Sequence, residues 1–294
     1  MERFELDTTQ LSILLGDHLG GTVTDVLPLA LGASSRETPW RIDFSFNGLE
    51  RTVLLRHGKT CSRNEAVALR AMEMNAIPTP KVLVWDAEGE AVGTPLFVSE
   101  FVAGESLLPP MKAGETWAID LYIETACELQ AIRAEDLPQE LAAQLKTAES
   151  AVDVLNDAYE MFAEVDDLIE AAYRKLVDGQ PILPKPQFSN GDLWPDNLLV
   201  NDRKVVGIID WQHAGFSDPL FEFLLPFFLV PGLRGQGIEG RFCRRKAIDP
   251  DILHWYHGLE FFDSLRWVLR TGEPYEMHTA ESLRTDLERW MADS

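Results

Sequence analysis

The run Ser189-Asn190-Gly191-Asp192-Leu193-Trp194-Pro195-Asp196-Asn197, followed by Val205-Val206-Gly207-Ile208-Ile209-Asp210, holds the residues best suited to chemistry. Asp192 and Asn197 are five residues apart, and Asp210 follows Asn197 by thirteen. One carboxylate can hold an attacking hydroxyl and accept its proton. An amide oxygen and a second carboxylate can offer hard ligands to a divalent cation. Magnesium keeps several of its positions for water and phosphate, so two protein ligands suffice. Transfer of a phosphoryl group needs such a set.

The local pattern supplies the elements that must position these groups. A Pro-rich stretch, 180–186, leads into Gln187-Phe188-Ser189, and Asn190-Gly191 is a turn signal. Leu198-Leu199-Val200 and Val205-Val206-Gly207-Ile208-Ile209 are short apolar runs on either side of Asn201-Asp202-Arg203-Lys204, which predicts a β-hairpin. A hairpin returns the chain, so Asp210 comes back beside Asn197 and both can face one ion. Taken singly, Asp192 and Asp196 read as turn formers and Asp210 as a strand end. The three types at two fixed spacings favour the chemical reading.

On these residues the chain resembles the aminoglycoside phosphotransferase and choline kinase superfamily, small-molecule kinases built like protein kinases. The family's catalytic loop usually begins His-Gly-Asp, where this chain has Asn190-Gly191-Asp192. That departure bears on the loop's internal hydrogen bonding and not on phosphotransfer. The later Asp-Phe-Gly of protein kinases is Asp-Trp or Asp-Phe in these relatives, and Asp210-Trp211 is similar. The resemblance implies Asp192 as catalytic base, Asn197 and Asp210 as magnesium ligands, and ATP as phosphoryl donor, with GTP left open. It also implies a bilobal α+β protein-kinase-like fold. Residues 1–102 would form the nucleotide-binding lobe and 103–294 a helical lobe with the catalytic loop and acceptor pocket.

Composition agrees with such a molecule. The chain has 294 residues, 46% hydrophobic and 10% aromatic, enough for a sizeable core in one large domain or two lobes. Cys61, Cys127 and Cys243 are far apart and form no Cys-x-x-Cys pair, so neither a disulfide framework nor a zinc site is expected. A reducing cytoplasm fits. The N-terminus lacks the pattern of a signal peptide, and the longest apolar run, 220–230, is interrupted by Glu222 and Pro226 and too short to span a bilayer. A soluble protein is expected. Its 48 acidic against 26 basic residues give a net charge of −22. A field of that sign repels nucleic acid and anionic membranes and suits a cationic small molecule.

The first third predicts a five-stranded antiparallel sheet with one main helix. A helix runs from Thr8 or Thr9 to Leu19, and 22–30 is strand-like. Trp40, Ile42, Phe44 and Phe46 alternate with polar residues before Asn47-Gly48, a strong hairpin signal, and 50–56 returns. A helix over 61–75 ends at Ile77-Pro78-Thr79-Pro80, and strands at 81–86 and 95–102 follow. Between the first two strands, Leu31-Gly32-Ala33-Ser34-Ser35 lies where a kinase-like fold covers the nucleotide phosphates. Ser34, Ser35 and the backbone amides there could donate to phosphate oxygens, although one glycine does not make a phosphate loop.

By the resemblance, Arg56 at the end of the third strand is the phosphate-binding cation, with Lys59 as the other candidate. Glu65 is its acidic partner. Ser62-Arg63-Asn64-Glu65 also reads as a capping box, which gives Glu65 a purely structural alternative. Glu100-Phe101-Val102 would be the hinge, with backbone groups of Glu100 and Val102 holding the adenine edge.

Beyond residue 103 the periodicity turns helical over 116–133, 152–177, 252–270 and 280–291. Asp218-Pro219 predicts an N-cap with proline at the first helical position, and Asp218 is read as structural. The acceptor pocket is expected from the C-terminal helices. Glu222, Tyr256, Glu260 and Asp263 are its candidates, joined by Gln212, His213 and the cluster His254-Trp255-Tyr256-His257. The glycine-rich stretch 232–240 would be a loop over it. The function expected is phosphorylation of a small-molecule hydroxyl. The alternative is a catalytically inactive nucleotide-binding scaffold, against which the presence of all three of Asp192, Asn197 and Asp210 argues. No Ala-Pro-Glu follows Asp210, which weakens a protein kinase reading.

Overall fold

The structure is a computed structural model and describes residues 8–29, 39–58, 63–91 and 93–293. Five antiparallel strands form the first unit: β1 (Thr22–Pro28), β2 (Trp40–Phe46), β3 (Leu49–His57), β4 (Val82–Asp86) and β5 (Leu96–Glu100), in the order β1-β2-β3-β5-β4. The β2–β3 turn is Asn47-Gly48, both at positive φ, as a tight hairpin requires. Helix α1 (Thr8–Leu19) covers one face of the sheet. Leu11, Leu14 and Leu15, one helical stripe, pack on Ile42, Phe44, Val53, Leu55, Val84, Leu96 and Val98. Helix α2 (Arg63–Met72) covers the other face. Its Ala66, Val67, Leu69 and Met72 join Val82 and Phe97 in a core continuous with the helical half. Period-two alternation in β5 sends Phe97 to the α2 side and Leu96 and Val98 to the α1 side.

The second unit is largely helical: α3 (Leu108–Lys112), α4 (Thr116–Leu129), α5 (Gln139–Ala142), α6 (Ala151–Glu160), α7 (Asp167–Asp178), α8 (Pro219–Leu229), α9 (Pro231–Arg234), α10 (Ile238–Lys246), α11 (Asp251–Thr271) and α12 (Ala280–Ala292). The buried Tyr256, Leu259, Phe262 and Leu265 of α11 form a stripe at three- and four-residue spacing, and this helix packs on α6, α7, α8 and α12. Two small sheets carry the site. One joins β6 (Glu105–Ser106), β9 (Leu198–Asn201) and β10 (Lys204–Ile208); the other joins β7 (Lys146–Thr147), β8 (Gln187–Ser189) and β11 (Gly215–Ser217). The fold is bilobal α+β and kinase-like. No helix among the described residues is long and apolar enough to cross a membrane.

Three expectations are corrected. The helix read over 152–177 is two, because Asp166 caps a new helix by accepting the N–H of Ile169 at 3.0 Å. The apolar period runs through the break because α6 and α7 both pack on α11. The stretch 232–240 is mostly α9 and the start of α10, packed toward α3 and α4, and does not line the cavity described below. Tyr256 is fully buried and donates its hydroxyl to Asp218 at 2.6 Å, so it is core.

Candidate active site

The loop that carries Asp192 follows β8 and is locked by its own amides. Asn190 is completely buried. Its Nδ2 donates to Asp192 O at 3.1 Å and lies 3.5 Å from the carbonyls of Ile209 and Asp210, and its Oδ1 accepts Asp192 N–H at 3.4 Å. An asparagine in place of the family's histidine thus still ties the loop to itself and to the segment that carries Asp210. Gly191 has φ +77°, and a Cβ there would stand 2.1 Å from His213 O, so only glycine fits.

Asn197 joins the two carboxylates. Its Nδ2 donates to the Asp192 carboxylate at 3.0 Å and to Asp192 O at 3.0 Å. Its backbone oxygen accepts Ile209 N–H at 2.9 Å, which brings Asp210 back beside it across the β9–β10 hairpin. Asp210 has φ +60°, a left-handed conformation that a non-glycine residue adopts at some cost, and such strain gathers at functional sites. Burial and then the negative charge of Asp210 push the Asp192 carboxyl above the ordinary range, against the opposing hydrogen bond from Asn197.

The residues present fit a magnesium ion. Asp210 Oδ1 is buried without a hydrogen-bond partner, a costly arrangement unless a ligand satisfies it. The Asn197 amide nitrogen is engaged by Asp192, which leaves its oxygen as a hard donor. Among the described residues no three His, Cys, Asp or Glu side chains cluster as a metal cage, and magnesium needs none.

On the sheet side, Arg56 Nε lies 3.4 Å from Glu65 Oε2, with Arg56 14% and Glu65 4% exposed. Burial drives the Glu65 pKa up to about 7 against the pull of Arg56; the Asp210 charge adds to the rise, and Trp211 N–H donates to the carboxylate. Lys59, Ser34 and Ser35 lie outside the described residues, as does Ser62, the other half of the capping-box alternative. Glu100 closes β5 onto Lys81: its N–H donates to Lys81 O at 2.9 Å and its carboxylate accepts Lys81 N–H at 3.3 Å. Val102 packs where Gly207 has no side chain; a Cβ on Gly207 would reach 2.7 Å from Val102 Cγ1. This close approach seats the 101–104 connection on β10.

A cavity of about 710 Å³ opens beside the loop, lined by Gly191, His213, Glu222, Glu260, Asp263 and Trp267 among others. Glu222, Glu260 and Asp263, expected at the acceptor, are there, as is His213. Gln212 is not among the lining residues, and the 254–257 cluster lies elsewhere. Trp255 donates to Leu176 O at 2.7 Å, His257 pairs with Glu239 at 2.7 Å, and His254 stacks on Trp290. Glu222 also does more than line the wall. It accepts Leu193 N–H at 3.1 Å, which fixes the loop that carries Asp192, and its burial raises its pKa to about 7. Asp218 caps α8 through Leu220 N–H at 2.9 Å, as expected of a structural residue.

Two positioning groups were missed in the sequence. Tyr122 donates its hydroxyl to Leu193 O at 3.0 Å, and Asn64 Nδ2 donates to Gln212 O at 3.1 Å and Ala214 O at 2.8 Å. Tyr122 sits in an apolar helical stripe and Asn64 inside a capping-box pattern, so neither differed from a plain structural residue.

The chain is similar to known proteins in sequence and in fold. The phosphotransferase enzyme family model matches residues 55–250. An aminoglycoside 3'-phosphotransferase from Niallia circulans is 26% identical over 201 residues, 67% of this chain and 72% of that protein. Acyl-CoA dehydrogenase family member 11 of Rattus norvegicus is 23% identical over 227 residues, 66% of this chain, and the match spans only 29% of that longer protein. In fold, a Ralstonia eutropha JMP134 protein assigned as an aminoglycoside phosphotransferase superposes with TM-score 0.71 at 14% identity, covering 98% of both chains. A thermostable mutant of aminoglycoside phosphotransferase APH(4)-Ia, in ternary complex with ADP and hygromycin B, gives 0.66 at 18% identity, covering 96% of this chain and 98% of that one. The family model covers more than half of the chain, residues 55–250, and the chain belongs to the phosphotransferase enzyme family.

Proposed function

We propose that this phosphotransferase moves the γ-phosphoryl group of ATP to a hydroxyl of a small molecule, with magnesium held by Asn197 and Asp210. Residues 1–102 form the nucleotide lobe in this reading, and 103–294 the acceptor lobe. The observation that carries it is the junction at Asn197, whose side chain bonds the Asp192 carboxylate while its backbone anchors the turn into Asp210. Asp192 orients the acceptor hydroxyl and takes its proton as the bond to phosphorus forms. A carboxyl raised by burial and a neighbouring charge is a better base than an exposed aspartate. Arg56, held by Glu65, is placed to draw on the phosphate oxygens. A magnesium ion bound there would neutralise charge on the transferring group. Val102 and the backbone around it offer groups for the adenine edge.

The acceptor cavity joins carboxylates with the aromatic faces of Phe221, Trp267 and Tyr275. Such walls suit a molecule with an ammonium group on a ring or apolar body. The ternary complex of the APH(4)-Ia relative with hygromycin B supports an aminoglycoside or similar acceptor.

Acceptor-dependent ATP consumption tests the reading, run over aminoglycosides, macrolides, choline, sugars and hydroxylated metabolites. The native chain should phosphorylate at least one of them, and the Asp210→Ala protein none. Asp210→Ala should also weaken magnesium-dependent nucleotide binding while the fold persists. Nucleotide binding with no turnover on any acceptor would favour the inactive scaffold instead.

A further inference from the structure

We infer that Asn64 is a positioning residue that ties the wall of the acceptor cavity to the helix bearing Glu65, the acid of the phosphate-side ion pair, and so couples nucleotide and acceptor binding. The inference rests on the phosphotransferase reading above. Asn64 is 9% exposed and sits in the first turn of α2. Its Nδ2 reaches across nearly half the chain to the carbonyls of Gln212 and Ala214. The next residue, Glu65, pairs with Arg56 at 3.4 Å and accepts Trp211 N–H. Two adjacent side chains of one helix therefore grip three backbone atoms of the segment 211–214.

That segment separates the two ligands. Asp210, at the nucleotide side, precedes it. His213, Gly215 and Ser217, on the acceptor side, line the cavity. From a third direction the loop presses on it, since Gly191 approaches His213 so closely that no Cβ fits. With α2 on one side and Gly191 on the other, the segment has no position independent of α2. A nucleotide whose phosphates draw Arg56 pulls on the paired Glu65 and so moves or stiffens α2, and Asn64 carries that to the cavity wall. Glu65 grips the segment at its start, Trp211, while Asn64 grips the part that lines the cavity. A purely structural Asn64 would satisfy two buried carbonyls and nothing more.

The test uses the full chain, AMP-PNP with magnesium as probe, and amide hydrogen exchange over residues 212–217. In the native protein, nucleotide should slow exchange there by about fivefold or more, the low end of ordinary coupling between sites. The Asn64→Ala protein should bind AMP-PNP within about threefold of native, yet the effect on 212–217 should fall below about twofold. If alanine costs the fold, Asn64→Ser takes its place: its hydroxyl keeps one donor, and it should transmit only part of the effect. A folded variant in which AMP-PNP protects 212–217 as in the native chain overturns the coupling. So does a native chain that binds AMP-PNP and leaves these amides unchanged. A native chain that does not bind AMP-PNP at all instead removes the phosphotransferase reading on which the coupling stands.

Discussion

Asp192 has two features of a general base that a loop-forming aspartate does not need: a partly buried carboxyl and a second carboxylate close enough to raise its pKa. Asn at this position keeps the shape and most of the hydrogen bonds but cannot take a proton. Asp192→Asn should therefore retain the fold and nucleotide affinity while turnover drops about 10²–10⁴-fold, the usual contribution of acid–base catalysis. Steady-state rates with an acceptor that the native chain phosphorylates check it, and a loss under about tenfold would reduce Asp192 to a loop former. Arg56 and Glu65 form a second unit. Replacing either should weaken AMP-PNP binding, and the double variant should lose much less than the sum. Burial raises Glu65 to about 7, so below that pH it is protonated and Arg56 loses its ionic partner. Nucleotide affinity in the native chain should rise as pH passes up through 7, and Glu65→Gln should flatten that rise. That Asp192, Asn197 and Asp210 come together was legible because it follows from residue type and spacing around a hairpin. Asn64 was not, since an asparagine in the first turn of a helix has many bland uses and its partners lie about 150 positions away.

At the scale of elements, the loop between β8 and β9 works because it is pinned from several sides. Asn190 ties it to the carbonyls of Ile209 and Asp210, Tyr122 and Glu222 hold Leu193, and Gly191 lets it close against His213. Gly191→Ala combines a positive φ with a Cβ 2.1 Å from a backbone oxygen, so either the loop or the 211–214 segment must shift. We expect a stability loss of about 1–3 kcal/mol by denaturant melting, with turnover falling further than stability alone explains. Unchanged turnover would show that the loop tolerates displacement and is not held for chemistry. The β9–β10 hairpin and the Asn47-Gly48 turn were readable because their signals are local. The break between α6 and α7 was hidden, because the two helices bury the same stripe against α11 and the period carries across. The strands β6, β7 and β11 are two or three residues long and exist only through their partners, so no sequence pattern marks them.

For the whole molecule, the net charge of −22 and the buried acids act in the same direction on stability. Glu65 and Glu222, raised by burial from 4.5 to about 7, bind protons in the native state that they release when unfolded near neutrality. Where the native state binds more protons, stability falls as pH rises. Each of these two groups should therefore withdraw about 1 kcal/mol between pH 6 and 8, while repulsion among the excess carboxylates persists across that range. The lowered carboxyls of Asp86, Asp136, Asp153, Asp166 and Glu170 act oppositely, but they are held by exposed turns, caps and surface pairs. Their contribution is already complete above their unfolded pKa values and does not change in this window. Urea midpoints should accordingly be higher at pH 6 than at pH 8. Added salt should raise the midpoint at either pH by screening the repulsion, and it should do little to the part owed to burial. Glu222→Gln isolates that part, because glutamine keeps an acceptor for Leu193 N–H without a proton to lose. Its midpoint should vary less with pH than the native one. A midpoint higher at pH 8 in the native chain would mean that Glu65 and Glu222 are held charged by partners whose attraction exceeds the cost of their burial.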